Sequence, residues 1–195
     1  MHNYVEIWVN TLKNALCFIC SITTLILISS CTTPQNITQT QDIHMIKNVP
    51  FFPQEDYQCG PASLASIVSY WGIHADPDEI GREIFSKSAR GTLTIDMMLY
   101  AQKKGFHAEQ FGGSIEALRS FVDSGLPLIV LVDYGLSVFQ MNHFMVVTGY
   151  NDHGVIVHSG QSQNKFLREK DFIAAWKKTD YWTLLIEKPC GIHLR

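Results

Sequence analysis

The chain has 195 residues, 46% of them hydrophobic and 17% charged, with 15 Lys and Arg against 18 Asp and Glu for a formal charge of −3. Once a leader is removed, that length suits one domain with a single core. The mildly acidic balance, with no Lys/Arg cluster, provides no electrostatic footprint for nucleic acid, so no nucleic-acid partner is expected.

In chain order, the first feature is ALCFICSITTLILI, Ala15 to Ile28, an apolar run of 14 residues. It has the length of a signal-peptide core and is too short to span a bilayer comfortably. Ile28-Ser29-Ser30-Cys31, followed by the polar TTPQNITQTQD, resembles the lipobox of bacterial lipoproteins. That resemblance implies a signal peptide over residues 1–30 and acylation of Cys31, which becomes the new N-terminus. It also implies membrane attachment through an N-terminal lipid anchor in the bacterial cell envelope, on the periplasmic side of the outer membrane. An ordinary secretory signal or a short anchor helix is the plainer alternative, and the leader departs from the usual pattern in carrying only Lys13 against Glu6. Cys17 and Cys20 would be discarded with the leader. Cys59 and Cys190 remain, and in an oxidising compartment they could pair as a structural disulfide. Residues 31–44, rich in Thr, Gln and Asn, read as a flexible tether, and 45–195 as the folded domain.

Within that domain, PASLASIVSYWG predicts a first helix. Asp76 as N-cap with Pro77 at the first helical position predicts a second. Thr94 as cap and Gly105 as stop bound a third, and Ser114 opens a fourth. The texture then changes. PLIVLVDYG, HFMVVTGY, VIVHSG and YWTLLIEK are short β-branched or aromatic runs bounded by turn residues, hence strands. Tyr150 to Gly154 makes a hairpin turn between two of them, and DFIAAWKK a short helix before the last. Helices followed by an antiparallel sheet define the α+β class.

Leu64, Ile67, Val68 and Trp71 fall at i, i+3, i+4 and i+7, one apolar stripe of the first helix. With Pro61 expected at a first helical position, Cys59 lies at the helix N-terminus, where unpaired N–H groups and the macrodipole favour negative charge. That favours thiolate, the nucleophilic form. A thiolate needs a partner for the proton, normally histidine. His44 and His193 lie in terminal segments, His74 and His107 in surface turns, and His153 at a hairpin tip. His143 instead starts the β-forming run MNHFMVVTGY, where a polar ring has no packing reason to be; the plain alternative is a hydrogen-bonded strand-end residue.

PQEDYQCGPASLASIVSYWG, followed at a distance by NHFMVVTGY, resembles the papain-like cysteine peptidases of the bacteriocin-leader (double-glycine) processing family, over Val49 to Gly160. The resemblance implies a papain-like fold, with N-terminal helices packed on a C-terminal antiparallel sheet, acting on a peptide or protein substrate. It assigns Cys59 as nucleophile, His143 as base and Gln54 as the glutamine of the oxyanion hole. Gln54 stands one residue closer to the cysteine than the family's usual spacing; Gln58 is the nearer substitute, but its place beside the cysteine disfavours the required geometry. Where the family has an aspartate after the histidine strand, this chain has Ser159. Asp152 is a poor replacement, because at about 3.3 Å per residue the hairpin tip is roughly 20 Å or more from His143. His158 and Gln161 lie at the correct end with Ser159, and which of them faces the imidazole depends on hairpin register; alignment with the family takes Ser159 as the third catalytic residue. Family members fused to exporters cut double-glycine leaders; without a transporter segment that substrate is not expected here. The same thiol could serve an acyl transferase, deamidase or thioesterase, and the missing aspartate leaves open a lipoprotein that binds peptides without cleaving them. No metal or cofactor is required. His153 and His158 lack a third ligand at zinc spacing, and FGGS, residues 111–114, lacks the Lys-Ser/Thr of a phosphate loop and reads as a turn.

Overall fold

A computed structural model describes residues 42–54, 58–136 and 138–188. Cys17, Cys20, Cys31 and Cys190, with the leader and most of the tether, lie outside the described residues.

The capping signals act largely as the sequence predicts. Asp76 accepts the Asp78 N–H at 2.9 Å and starts α2 (Pro77–Ile84); Ser114 accepts the Ala117 N–H at 3.1 Å and starts α4 (Ile115–Asp123). Thr94 is not a cap. It is the first residue of α3 (Thr94–Lys103), and Leu93 holds the cap position without a side-chain bond. In α1 (Cys59–Tyr70) Pro61 is the third residue rather than the first, a position still free of any intrahelical N–H bond. Nor does α1 carry a single apolar stripe: Gly60 through Val68 are all buried, because Ala62, Ser63, Ala65 and Ser66 let α2, α3 and the sheet approach on several sides. Gly60 is held to glycine by this closeness, since a Cβ there would stand 2.8 Å from the Thr92 side chain.

The main sheet contains β1 (His44–Met45), β4 (His107–Gly112), β5 (Leu128–Asp133), β6 (Asn142–Asn151), β7 (Gly154–Ser159), β8 (Ser162–Arg168) and β9 (Trp182–Glu187). Its order is β4-β9-β5-β6-β7-β8, antiparallel throughout. β1 continues the track of β5 along β6, pairing His44 with Tyr150 and Met45 with Gly149 beyond the Leu128–Val147 pair. The folded part therefore includes His44, which the sequence reading left in the tether. A Cβ on Gly149 would come within 2.6 Å of the His44 carbonyl, so this docking needs glycine.

Every residue of β5 and β7 is buried, so both faces of the central sheet are covered. α1 packs on β5 and β6, α4 on β1, β5 and β6, and α5 (Glu169–Trp176) on β5, β7 and β8. Leu64, Ile67, Ile129, Val146, Leu184 and Trp176 are among the fully buried side chains, each aliphatic one contributing roughly 1.5–3 kcal/mol by leaving water. The helices-then-sheet class holds, with two additions. β4 and β8 escape the sequence reading because they are the edges, with mostly exposed, polar residues and no apolar alternation. His107 accordingly lies in a strand rather than a turn. A separate small hairpin, β2 (Phe85–Ser86) and β3 (Gly91–Thr92), stands between α2 and α3. No helix among the described residues is long and apolar enough to cross a membrane.

Candidate active site

Two long-range placements build the site. Cys59 is the first residue of α1 and a free thiol; His143 is the second residue of β6, opposite Val132 on β5. Both line one cavity of about 760 Å³. The sulfur also accepts a hydrogen bond from the backbone N–H of Phe144, the residue next to the imidazole, so the strand that carries the histidine touches the thiol directly. The core does not separate them.

The hairpin register settles which residue meets the ring. Val146 pairs with His158, so these two share a face and alternation turns Ser159 to the face of Met145 and His143. Ser159 Oγ lies 2.9 Å from His143 Nε2. His158 points the other way. Its Nδ1 accepts the Asn164 N–H at 3.2 Å, which fixes the neutral tautomer and lets Nε2–H donate to the Val49 carbonyl at 3.1 Å. Gln161 donates to the Gln54 carbonyl at 2.8 Å. Neither His158 nor Gln161 is thus the partner of the imidazole. Asp152 sits at the β6–β7 turn, at the far end of β6 from His143.

Gln54 is buried and lines the same cavity. Its backbone N–H donates to the Gly160 carbonyl and its Oε1 accepts the Gly160 N–H, both at 3.0 Å. Because a donor must face the amide oxygen, the NH₂ end is left to the cavity side. Gln58, the alternative, is engaged elsewhere: its Nε2 donates to Asp78 at 2.9 Å.

Over residues 46–183, most of the folded domain, the chain matches the Peptidase C39-like family. The chain belongs to that family. Membership supports a cysteine peptidase function. Solved structures agree on the fold. A Bacillus anthracis protein described as a C39-like peptidase superposes with a TM-score of 0.63 at 20% identity, over 76% of this chain and 98% of that one. The peptidase domain of Streptococcus ComA, a bifunctional ABC transporter of a quorum-sensing pathway, gives 0.61 at 22%, over 72% and 99%. A double-glycine-motif protease from an AMS/PCAT transporter, in complex with its leader peptide, gives 0.61 at 19%, over 74% and 94%. No curated protein matches the chain.

In this C39-like domain the electrostatics differ from the sequence expectation of a resting thiolate. Burial pushes the Cys59 thiol up, outweighing the backbone N–H groups of Phe144, Gly60 and Cys59 itself, which pull it down. His143 is pushed down, first by burial and then by the positive charge of Lys165 on β8. Both shifts favour a neutral thiol beside a neutral imidazole. The Tyr134 ring lies 6.4 Å from the imidazole at a tilt of 36°.

Sequence reasoning missed one wall of the cavity. Arg90, Gly91 and Thr92 of the small hairpin line it. The signal was present in the turn-rich SKSARG between two capped helices, which reads as a loop unless its return is paired. A histidine–carboxylate pairing was also missed: His44 Nδ1 stands 2.7 Å from Asp123 Oδ1, and the His44 ring stacks on Tyr150 at 4.5 Å. Tyr150 OH donates to both Asp123 oxygens, and with His44 it holds that carboxyl below its ordinary range.

Proposed function

We propose that the chain is a cysteine peptidase that hydrolyses peptide bonds through Cys59 and His143, held in the bacterial envelope by a lipid on Cys31. The observation that carries the first part is the meeting of the Cys59 sulfur with the strand end bearing His143, whose Nε2 is engaged by Ser159 and whose Nδ1 remains for the thiol proton. The neighbour solved with its leader peptide supports a peptide as the substrate class.

The steps follow from the residues. As Cys59 Sγ bonds to the substrate carbonyl carbon, its proton passes to His143 Nδ1, and Ser159 Oγ accepts the Nε2–H of the resulting imidazolium. The Gln54 NH₂ and the Cys59 backbone N–H at the helix start donate to the oxygen that becomes negative. One such donor is worth about 3 kcal/mol in the transition state. The imidazolium then gives its proton to the departing amine as the C–N bond breaks, and water, deprotonated by His143, resolves the thioester. A neutral serine fixes the ring's tautomer but stabilises imidazolium less than a carboxylate would.

The test is to incubate the protein with peptide libraries and read the products by mass spectrometry. New termini should form with the native chain and vanish with Cys59→Ala; equal cleavage by both rejects the reading. For the anchor, incorporation of labelled palmitate should be lost in Cys31→Ser, and equal labelling of the two chains rejects it.

A further inference from the structure

The catalytic cavity has a neighbour. Next to Cys59 along the chain, Gln58 and Pro61 border a second cavity of about 560 Å³, with Gly81 and Phe85 as apolar wall and Asp78, Arg82 and Lys87 as charged groups. The β2–β3 hairpin serves both. Phe85 and Lys87 line the second cavity, while Arg90 and Thr92 line the first.

Among the described residues, the charged side chains lining the two cavities are Arg82, Lys87 and Arg90 against Asp78. No Asp or Glu among the described residues lines the catalytic cavity. Arg82, Lys87 and Arg90 form no ion pair among the described residues. On α2, Glu83 pairs with Lys103 and Lys104, and Asp78 accepts from the Gln58 amide. Asp78 and Arg82 stand four apart on one helix, a spacing that normally brings opposite charges together, yet they form no ion pair. Lys165 adds a further positive charge felt at His143. Among the described residues that line the two cavities, cations outnumber acids three to one, on a chain of net charge −3. Arg90 also sits at φ 49°, a left-handed backbone position that favours glycine or asparagine. A long cation kept there at a conformational cost directs attention to its side chain.

We infer that the two cavities form one substrate-binding run for peptides with acidic side chains flanking the scissile bond, Arg90 meeting an acid in the catalytic cavity and Arg82 with Lys87 meeting one in the next. This rests on the peptidase reading. All three cations are exposed, so each contributes a few-fold in affinity and the sum is screened by salt.

The experiment uses the full Cys59→Ala chain in detergent micelles and fluorescent octapeptide pools that differ only in having Glu, Gln or Lys at one position. At an ionic strength of about 0.01 M the Glu pool should bind about tenfold more tightly than the Lys pool, and the gap should narrow at about 0.15 M. Arg82→Gln, Lys87→Gln and Arg90→Gln combined should level the pools, each single change lowering the preference about two- to threefold, and Asp78→Asn should strengthen it. Pools that bind alike, or a preference that survives all three changes in a folded chain, overturn the inference. The same pools offered to the native chain separate it from the peptidase reading. A Glu preference in binding without cleavage removes the peptidase alone, and cleavage without charge preference removes the acidic subsite alone.

Discussion

Each end of β6 carries a histidine pairing, and the two are unlike. At the Tyr150 end, His44 meets a carboxylate, stacks on an aromatic ring and stands partly in solvent. At the Asn142 end, His143 meets only a serine hydroxyl, is half-buried and is held toward its neutral form. By residue type, the first looks more like a catalytic dyad. It lacks a nucleophile: the free cysteine among the described residues lies at the other end, with the cavity. The difference teaches that a histidine's partner alone does not make a site: a thiol and a cavity converge on His143, whereas His44 with Asp123 fastens β1 to α4.

The sharpest way to break this contrast is to remove each histidine. His143→Ala should lower kcat/KM on a cleaved peptide by about 10²–10⁴, the range of a lost general base, while His44→Ala leaves it unchanged. Comparable losses from both would erase the distinction. Next comes the donor that only the His143 end possesses. Gln54→Ala should lower kcat by about 10²–10³ with little change in KM, and a pure KM effect would remove Gln54 from the transition state.

A smaller effect tests the missing carboxylate. Ser159→Asp places at His143 what His44 already has, raises the imidazole pKa and favours the thiolate–imidazolium pair. In the native chain, alkylation of Cys59 should rise only above the ordinary thiol range, because burial holds the thiol up, and the acid limb of kcat/KM should lie below the ordinary histidine range. In Ser159→Asp the alkylation midpoint should fall and the acid limb rise, with up to about tenfold faster alkylation at neutral pH for each unit moved. An unmoved midpoint would show that Ser159 is not in electrostatic contact with the ring.

The smallest effect concerns stability. His158 is buried and its pKa is depressed, so folding favours the neutral ring. Its contribution is therefore full above the unfolded value of about 6.5 and is lost as pH falls through the lower folded value. His143 contributes in the same window, so thermal melts of His158→Phe should retain a reduced acid dependence. An undiminished dependence would place the titration elsewhere.

The places of Cys59 at a helix start and His143 near a strand start were legible because each sits at the boundary of a strongly patterned element: a helix with capped successors, and a β-branched run. Ser159 was legible only as one of several neighbours, since the choice between it and His158 is a matter of one residue of register that the sequence does not print. The thiol's protonation state was not legible. The helix terminus argues for thiolate, but the weight of burial depends on Phe144 and the cavity walls, which arrive from remote parts of the chain. The engagement of Gln58 with Asp78 was not legible for the same reason, because it is set by how α2 packs. The edge strands β4 and β8 and the small hairpin were lost to polar composition, and with the hairpin went the cations of the cleft.

His158 and Ser159 are adjacent, and their side chains serve opposite faces of β7, one fastening Val49 and the other engaging His143. A one-residue misthreading would exchange them, undoing the clasp on the glutamine segment and the ring's alignment in the same stroke. Misassembled molecules would then be silent rather than sluggish, and specific activity would serve as a census of correctly threaded ones.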